Sequence, residues 1–254
     1  MIDVIYCISM ERYPERRENA IRLLSSLTSI CPVLFFTAID ASNYSERDFN
    51  DQGVFAYPDW EIKNPEKDDR IDYQKISDHD LKGRVERFWN RPITRGEIGC
   101  MLSHYYVWLD AYRNGYSTVW VLEDDFTFDL ERLISGLQIY CDFINSNMYD
   151  VFYLGGVPMI DGLKKTDFII ECDYIYQTHA YIMTRECIRI MLNSNCEKII
   201  TPADEFLSLA IGEHPRYDMR GNVYDFERKL LGYRLSDLVV GQLNQGGHTT
   251  EMVV

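Results

Sequence analysis

The most restrictive feature of this sequence is a short apolar run that ends in three adjacent acids. Residues 119–122 read Val-Trp-Val-Leu, and Glu123, Asp124 and Asp125 follow directly. The run predicts a strand that is buried on both faces, as in a parallel sheet. Three acids at its end are costly inside a protein unless a cation neutralises them. Because such sheets bind ligands at the carboxyl ends of their strands, the triplet predicts a binding site there.

A divalent metal ion is the expected partner of this triplet, since carboxylate oxygens suit Mg²⁺ and Mn²⁺. Alternate residues of an extended segment point the same way, so Glu123 and Asp125 are predicted to share one ion while Asp124 faces elsewhere. The alternative interpretation is a solvated acidic turn after a strand. The sequence on either side of the triplet is needed to decide between the two.

Composition narrows the class of protein. With 254 residues, 46% of them hydrophobic, the chain can form one large α/β domain or two small ones. Its net charge of −14 argues against nucleic acid as a partner and favours a basic acceptor. There is no apolar run long enough to span a bilayer, and the first ten residues predict a strand, not a signal peptide.

The seven cysteines have no closely paired spacing. They therefore predict neither a zinc motif nor a disulfide framework. Most are expected to be buried as small apolar residues.

The N-terminal part predicts the opening of a nucleotide-binding α/β unit. Residues 4–8 and 33–37 read as strands, and Pro14 suits the first turn of a helix between them. No Gly-x-Gly-x-x-Gly follows the first strand, so a dinucleotide site of the Rossmann type is not expected. Residues 41–93 are polar, unusually long for a connection, and contain Trp60, Tyr73 and Trp89. Short helices and an acceptor-facing flap are both compatible with this segment.

A helix is predicted immediately before the acidic strand. Thr94 and Glu97 fit a capping box, apolar residues recur at helical spacing, and Asn114-Gly115 ends the pattern. Gly96 and Gly99 near its start permit close approach of backbone or ligand. Ser103 and His104 follow, and His104 taken alone is expected to be a hydrogen-bonded, half-buried histidine.

The second half predicts further strands at 149–156 and 174–183 and helices at 185–192 and from Thr201. Thr201 is the expected N-cap, with Pro202 at the first helical position. Asp204 then occupies a capping-box position, which is a structural explanation for that acid. Glu205 has no such explanation. In the polar tail, His248 is either loop decoration or a metal ligand.

These segments, in this order, resemble glycosyltransferase family 25. The second half is similar to the collagen-modifying branch of that family. The residues that carry the resemblance are 4–9, Arg12, Arg16, Arg17, 38–40, 91–100, Ser103, His104, Trp108, 121–125, Tyr149, Asp150, 153–155, Ala180, Tyr181, Pro202 and 204–207.

The resemblance implies a GT-A fold, which is an α/β fold with a Rossmann-like, mainly parallel central sheet and helices on both faces, in one domain over residues 1–254. It also implies a UDP-sugar donor and Mn²⁺ or Mg²⁺. The acidic triplet is similar to the family's Asp-x-Asp motif, with Glu in the first place, so Asp125 is the principal expected ligand. The implied roles are metal binding for Asp125, Glu123 and His248, catalysis for Asp204 and Glu205, and donor binding for Ser9, Arg12, Arg16, Asp40, Gly96, Ser103, His104, Glu123 and Asp124.

The activity implied by the collagen-like branch is transfer of galactose or glucose from UDP to hydroxylysine or galactosyl-hydroxylysine of a collagen-like peptide. The chain is shorter than the animal collagen enzymes, so a stand-alone viral or microbial enzyme or an excised domain is expected. A homodimer is one expected assembly. The alternatives are a surface-glycan galactosyltransferase, a nucleotide-sugar hydrolase and an inactive binding module.

Overall fold

An eight-stranded sheet organises the residues that the computed structural model describes, which are 2–56, 93–212, 214, 219–221 and 223–243. The strands are β1 Val4–Ser9, β2 Val33–Thr37, β3 Phe55–Ala56, β4 Thr118–Glu123, β5 Phe126–Phe128, β6 Val151–Tyr153, β7 Val157–Lys164, β8 Ile169–Tyr176, β9 Ala180–Thr184, β10 Ile199–Ile200, β11 Gly232–Leu235 and β12 Val240–Gln242. The helices are α1 Pro14–Leu24, α2 Glu46–Asp51, α3 Arg95–Arg113, α4 Leu130–Ile144, α5 Arg185–Leu192 and α6 Ala203–Ile211. Short 3₁₀ turns lie at Ser25–Leu27 and Ala41–Asn43.

The strand order of the large sheet is β2-β1-β4-β9-β6-β11-β8-β7. β1 is parallel to β2 and β4, and β6 is parallel to β11. β9 is antiparallel to β4 and β6, and β8 is antiparallel to β11 and β7. Of this sheet's eight strands, only β8 and β9 are therefore reversed, and the prediction of a mainly parallel sheet is confirmed.

Helices cover both faces of the sheet, as predicted. Side chains alternate along each strand, so Tyr6 and Val121 pack on one face with Trp108 of α3. That face also carries α5 and α6. On the other face, Cys7 and Leu122 pack in a second core with residues of α1 and α4.

The predicted start of α3 is confirmed in detail. Thr94 N–H donates to Glu97 Oε2 at 2.8 Å, and Glu97 N–H donates to Thr94 Oγ1 at 3.3 Å, which is the reciprocal capping box. Gly115, just past the end of the helix, has φ +81°. The strand–helix–strand opening is also where the sequence predicted it, with Pro14 as the first residue of α1.

Close approach at Gly99 joins α3 to the segment after β2. A Cβ atom at Gly99 would lie 2.5 Å from the Ile39 carbonyl oxygen, so only glycine permits this contact. One turn later, Ser103 Oγ accepts from Ile39 N–H at 2.8 Å and donates to the Gly99 carbonyl at 2.6 Å. The start of α3 is thereby fixed beside the carboxyl ends of β1 and β2.

Two sequence predictions about the second half were wrong. The single strand at 174–183 is in fact β8 and β9, which are not neighbours in the sheet. The chain breaks at Gln177, whose φ of +63° cannot continue a strand.

The predicted N-cap Thr201 was also wrong, because α6 begins at Ala203 with Pro202 in the cap position and no side-chain cap. The Thr201 hydroxyl instead accepts from Tyr224 at 3.0 Å. Asp204 is consequently the second residue of α6 and not part of a capping box.

Of the polar segment 41–93, the described part contains α2 and β3, so one short helix is present. Trp60, Tyr73 and Trp89 lie outside the described residues. Among the described residues, no helix combines the length and apolar character required to cross a membrane.

Phe152 offers a test of the core. It has no exposed surface, and its ring centroid lies 5.0 Å from that of Tyr140. We expect Phe152→Ala to lower the free energy of unfolding by about 3–5 kcal/mol, since it leaves a cavity between the sheet and α4. Phe168→Ala, at a site that is 58% exposed, should change it by no more than about 0.5 kcal/mol. Urea unfolding measures both, and equal effects would contradict the assigned core.

Candidate active site

A cavity of about 270 Å³ opens at the carboxyl ends of β1 and β4. Its walls come from the start of α1, the segment after β2, the first turns of α3, the acidic triplet after β4, and β12. The lining residues are Ile8, Met10, Arg12, Tyr13, Arg16, 38–42, Arg95, Gly96, Cys100, Ser103, His104, Glu123, Asp124, Asp125 and Gln242.

Most residues that the sequence singled out lie in this cavity. Ser9 is the exception among the predicted donor-binding residues, since it is buried at the end of β1 and is not part of the lining. The predicted metal ligand His248 lies outside the described residues. The predicted residues that line the cavity are Arg12, Arg16, Asp40, Gly96, Ser103, His104, Glu123, Asp124 and Asp125.

Asp124 is compensated by the chain's own N-terminal part. Its Oδ2 accepts from Met10 N–H at 3.1 Å, and its Oδ1 lies 3.5 Å from Arg16 Nη1. Burial raises the pKa of Asp124, while these groups and the Ser9 hydroxyl oppose that rise. Asp124 is therefore tied to β1 and α1.

Asp125 is held from the opposite side. Gln242 Nε2 donates to Asp125 Oδ2 at 3.0 Å, and Leu243 N–H donates to the Asp125 carbonyl at 2.7 Å. Burial, followed by the charge of Glu123, raises the pKa of Asp125 to about 7. Two neighbouring acids that resist joint ionisation form a place where a cation is favourable.

Glu123 faces α3. Its Oε1 lies 3.1 Å from His104 Nε2 and 3.9 Å from Cys100 Sγ. Burial opposes ionisation, but the hydrogen bond and the charge of His104 outweigh it and lower the pKa of Glu123. The other ring nitrogen of His104 lies 2.7 Å from the Tyr181 hydroxyl, which also accepts from Trp108 Nε1 at 2.9 Å. His104 is hydrogen-bonded as expected, but it is fully buried and not half-buried.

Arg12 and Asp40 lie at the rim. Arg12 Nη1 is 3.3 Å from Asp40 Oδ2, and both side chains are partly exposed. Asp40 Oδ1 accepts from Ser42 N–H at 3.1 Å and so caps the 3₁₀ turn Ala41–Asn43. A cation and an anion are thus both available to a ligand at the cavity mouth.

The predicted catalytic pair is separated by the structure. Glu205 has no exposed surface, and its carboxylate accepts from the Tyr174 hydroxyl at 2.8 Å and contacts His214 Nε2. Asp204 is only half-buried and accepts from Gln177 N–H at 3.2 Å. Burial, followed by the charge of Glu205, raises the pKa of Asp204 to about 7. Neither Asp204 nor Glu205 is among the residues that line the cavity, although the charge of Asp204 contributes to the raised pKa of the lining residue Cys100.

Two cavity residues whose side chains contact the acidic triplet had no role assigned from the sequence. Gln242 reaches Asp125 because β12 pairs with β5, a contact over more than 100 positions that no local pattern signals. Cys100 had a usable signal, since it lies four residues before His104 and therefore on the same face of α3.

A groove lies next to the cavity, and Ile39 lines both. Aromatic side chains from the segment after β2 and from α3 form its walls. Its aromatic and charged lining residues are Tyr44, Phe49, Tyr105, Tyr106, Glu197 and Lys198.

Comparisons with known proteins bear on this site. The profile of the family described as Glycosyltransferase family 25 (LPS biosynthesis protein) matches residues 2–207. A Glycosyltransferase 25 family member of Drosophila melanogaster is 27% identical over 84% of this chain and 31% of its own length. Procollagen galactosyltransferase 1 of Danio rerio is 25% identical over 84% of this chain and 32% of its own length. Inactive glycosyltransferase 25 family member 3 of Homo sapiens is 25% identical over 96% of this chain and 37% of its own length.

This chain therefore spans about a third of the length of these relatives. Among solved structures, a UDP-glucose pyrophosphorylase complexed with UDP-glucose covers 92% of the chain with a TM-score of 0.42 and 10% identity, a likeness too distant to bear on function. The family profile, in contrast, covers residues 2–207 of 254 and includes every described wall of the cavity except Gln242. The chain belongs to glycosyltransferase family 25.

Proposed function

We propose that this chain transfers a hexose, galactose or glucose, from a UDP-sugar to a hydroxyl group of a collagen-like acceptor with the help of Mn²⁺ or Mg²⁺. The observation that supports this best is the cavity itself. It brings arginines, a paired set of acids and a helix start together at the carboxyl ends of β1 and β4. That edge is where α/β sheets bind nucleotides.

The donor's diphosphate is assigned to the arginine side of the cavity. Arg16 lies between Asp124 and Asp125, at 3.5 and 3.9 Å, and Arg12 lies at the rim. Guanidinium groups bind phosphate oxygens through several N–H donors. Asp40, which lies beside Arg12, is assigned to accept hydrogen bonds from ribose hydroxyls.

The acids fit a divalent ion. Asp125 and Glu123 are assigned as its ligands, together with His248 of the tail. The raised pKa of Asp125, to which burial and then the charge of Glu123 contribute, supports this fit, because a bound cation would favour the ionised carboxylate. When bound, the ion would neutralise charge that develops on the diphosphate as the sugar departs. Gln242 orients the Asp125 carboxylate for this role.

Asp204 is the assigned general base. It accepts the proton of the acceptor hydroxyl as that oxygen bonds to the anomeric carbon and the bond to the UDP oxygen breaks. A pKa of about 7 suits a base that works near neutral pH. Glu205, closed off by Tyr174 and His214, does not touch the acceptor but raises the basicity of Asp204 through its charge.

The acceptor is assigned to the aromatic groove. The described part of the segment expected to receive it, residues 41–56, forms one wall through Tyr44 and Phe49. Aromatic faces suit the proline rings of an extended chain. The net charge of −14 favours a chain that carries lysine or hydroxylysine. The name of the Danio rerio relative supports a procollagen acceptor, whereas the family description supports a surface glycan as the alternative.

The metal assignment predicts the behaviour of Asp125→Asn. This variant should lose metal-dependent transfer while folding normally. Because burial raises the folded-state pKa of Asp125 to about 7, above its unfolded value, folding stability falls as pH rises from about 4 to about 7, and removal of the carboxyl should raise thermal stability at neutral pH in metal-free buffer. Transfer assays over a Mn²⁺ series and melting curves at several pH values measure both effects.

The matched control is Asp167→Asn, which changes an exposed acid on the β7–β8 turn. It should leave turnover and metal dependence unchanged. Full metal-dependent turnover by folded Asp125→Asn would remove this residue from the metal site.

The base assignment predicts that Asp204→Asn lowers turnover by about 10²- to 10⁴-fold, the usual contribution of a positioned general base. Binding of UDP should be unaffected, and stability at neutral pH should not fall, because the raised pKa of Asp204 means that its ionisation opposes folding. Steady-state kinetics and UDP calorimetry separate these quantities. Loss of UDP binding in parallel with turnover would indicate a donor-site role instead.

The pH profile distinguishes the two acids. Transfer by the unmodified chain should increase as pH rises through about 7, because Asp204 must lose its proton to act. Glu205→Gln removes the neighbouring charge and so lowers the pKa of Asp204. The rising limb of the pH–rate profile should then move to lower pH while activity persists. A limb that stays in place would show that Glu205 does not set the basicity of Asp204.

The acceptor assignment predicts that Tyr106→Ala raises the KM for a collagen-like peptide about 3- to 10-fold, in line with an aromatic contact of about 0.5–1.5 kcal/mol. The KM for free hydroxylysine and for the UDP-sugar should stay the same, and Phe168→Ala, which changes an exposed aromatic outside the groove, should have no effect.

Higher turnover on a lactosyl lipid than on the peptide would assign the chain to surface-glycan synthesis. Sugar release without any acceptor would identify a hydrolase.

A further inference from the structure

Three side chains form a cluster at the α3 wall of the cavity. The proposed transfer gives a role to one of them, Glu123, but none to Cys100. Cys100 Sγ, His104 Nε2 and a Glu123 carboxylate oxygen all lie within 4.8 Å of one another. Two of the separations are close, at 3.1 Å from His104 Nε2 to Glu123 Oε1 and 3.9 Å from Cys100 Sγ to the same oxygen. All three residues line the cavity.

The cluster is built on rigid elements. Cys100 and His104 are four residues apart on α3, which places both side chains on one helix face. Glu123 is the last residue of β4, the strand between β1 and β9. In a tetrahedral site with metal bonds of about 2.0–2.3 Å, ligand atoms lie about 3.3–3.6 Å apart. Side-chain movements of about an ångström would therefore bring the three ligand atoms to the separations of a tetrahedral site.

The surroundings of His104 also suit metal binding. A histidine that binds metal through Nε2 must carry its proton on Nδ1 and needs an acceptor there. The Tyr181 hydroxyl lies 2.7 Å from Nδ1, and its oxygen has two lone pairs, of which one accepts from Trp108 Nε1. The second lone pair is available to His104 Nδ1–H. Tyr181 and Trp108 thus fix the ring so that Nε2 points at Glu123.

We propose that Cys100, His104 and Glu123 form a binding site for a thiolate-preferring divalent ion such as Zn²⁺ or Co²⁺, with an open coordination position toward the cavity. This set differs from the oxygen-rich set assigned to Mn²⁺ around Asp125. Thiolate and imidazole ligands select zinc-like ions over magnesium-like ones. Binding would convert the Cys100 thiol to a thiolate and release its proton to solvent.

One consequence rests on the proposed function. Glu123 belongs to both sets, so an ion at Cys100 and His104 draws Glu123 away from an ion at Asp125. Zn²⁺ is therefore expected to inhibit Mn²⁺-dependent transfer, and Cys100→Ser should relieve that inhibition. The binding site itself does not depend on sugar transfer.

The decisive experiment is a Co²⁺ titration of the purified chain followed by absorption spectroscopy. A thiolate ligand produces a sulfur-to-cobalt charge-transfer band in the near ultraviolet, which oxygen and nitrogen ligands do not. We expect this band in the unmodified chain and in Cys141→Ser, which changes an exposed cysteine, and its loss in Cys100→Ser. A band that persists in Cys100→Ser, or its absence from the unmodified chain, would overturn the proposal.

Zinc calorimetry gives a second readout. Cys100→Ser should weaken Zn²⁺ binding by more than the roughly 10- to 100-fold loss that follows when a residue supporting a ligand is changed. Tyr181→Phe, with its fold checked by melting, should fall within that smaller range because it removes only the acceptor for His104. Mn²⁺-dependent transfer without a cobalt–thiolate band would refute this inference and leave the proposed function standing. A cobalt–thiolate band in a chain that transfers no sugar would support the metal site and refute the proposed function.

Discussion

The architecture of this chain depends on compensating three carboxylates at the end of one buried strand. Each acid has hydrogen-bond partners in a different part of the chain: Asp124 in the β1–α1 region, Asp125 in β12, and Glu123 in α3. Arg16 of α1 lies near both Asp124 and Asp125. Residues that are more than 100 positions apart are thereby drawn to one edge of the sheet. The cavity is the space that remains between these partners, so the side chains that compensate the acids also form its walls.

Different hydrogen-bond partners also distinguish two acids that are adjacent in sequence. Asp204 and Glu205 begin α6, yet Glu205 points into a closed network with Tyr174 and His214 while Asp204 remains half-buried. Burial and mutual repulsion bring the pKa of Asp204 to about 7. A buried charge that has its own partners can therefore act at a distance on an accessible neighbour. The single dipeptide thus contains one enclosed acid and one more accessible acid, which are the two roles that the proposed function assigns to it.

Local patterns made much of this structure predictable. The strand before the triplet, the capping box at Thr94 and the proline at the start of α1 each depend on neighbours within a few residues, and each was confirmed. The break at Gln177 and the failure of Thr201 as a cap were not predictable, because a turn conformation and the distant Tyr224 hydroxyl decide them. Within the site, the acids and arginines were recognisable from sequence, whereas the contact of Gln242 with Asp125 arises only from the pairing of β12 with β5.

The contact at Gly99 sets a mechanical property of the cavity. The helix start rests on the Ile39 carbonyl, backbone against backbone, and Ser103 locks the same junction by hydrogen bonds to both segments. The gap between these two walls is thus set by main-chain contact and does not vary with the side chains that project into it. Substitution at Arg12, Asp40 or Gly96 can change what the cavity recognises without changing how wide it is. Replacement of Gly99 by any larger residue would force these two walls apart, because a Cβ atom there would lie 2.5 Å from the Ile39 carbonyl oxygen.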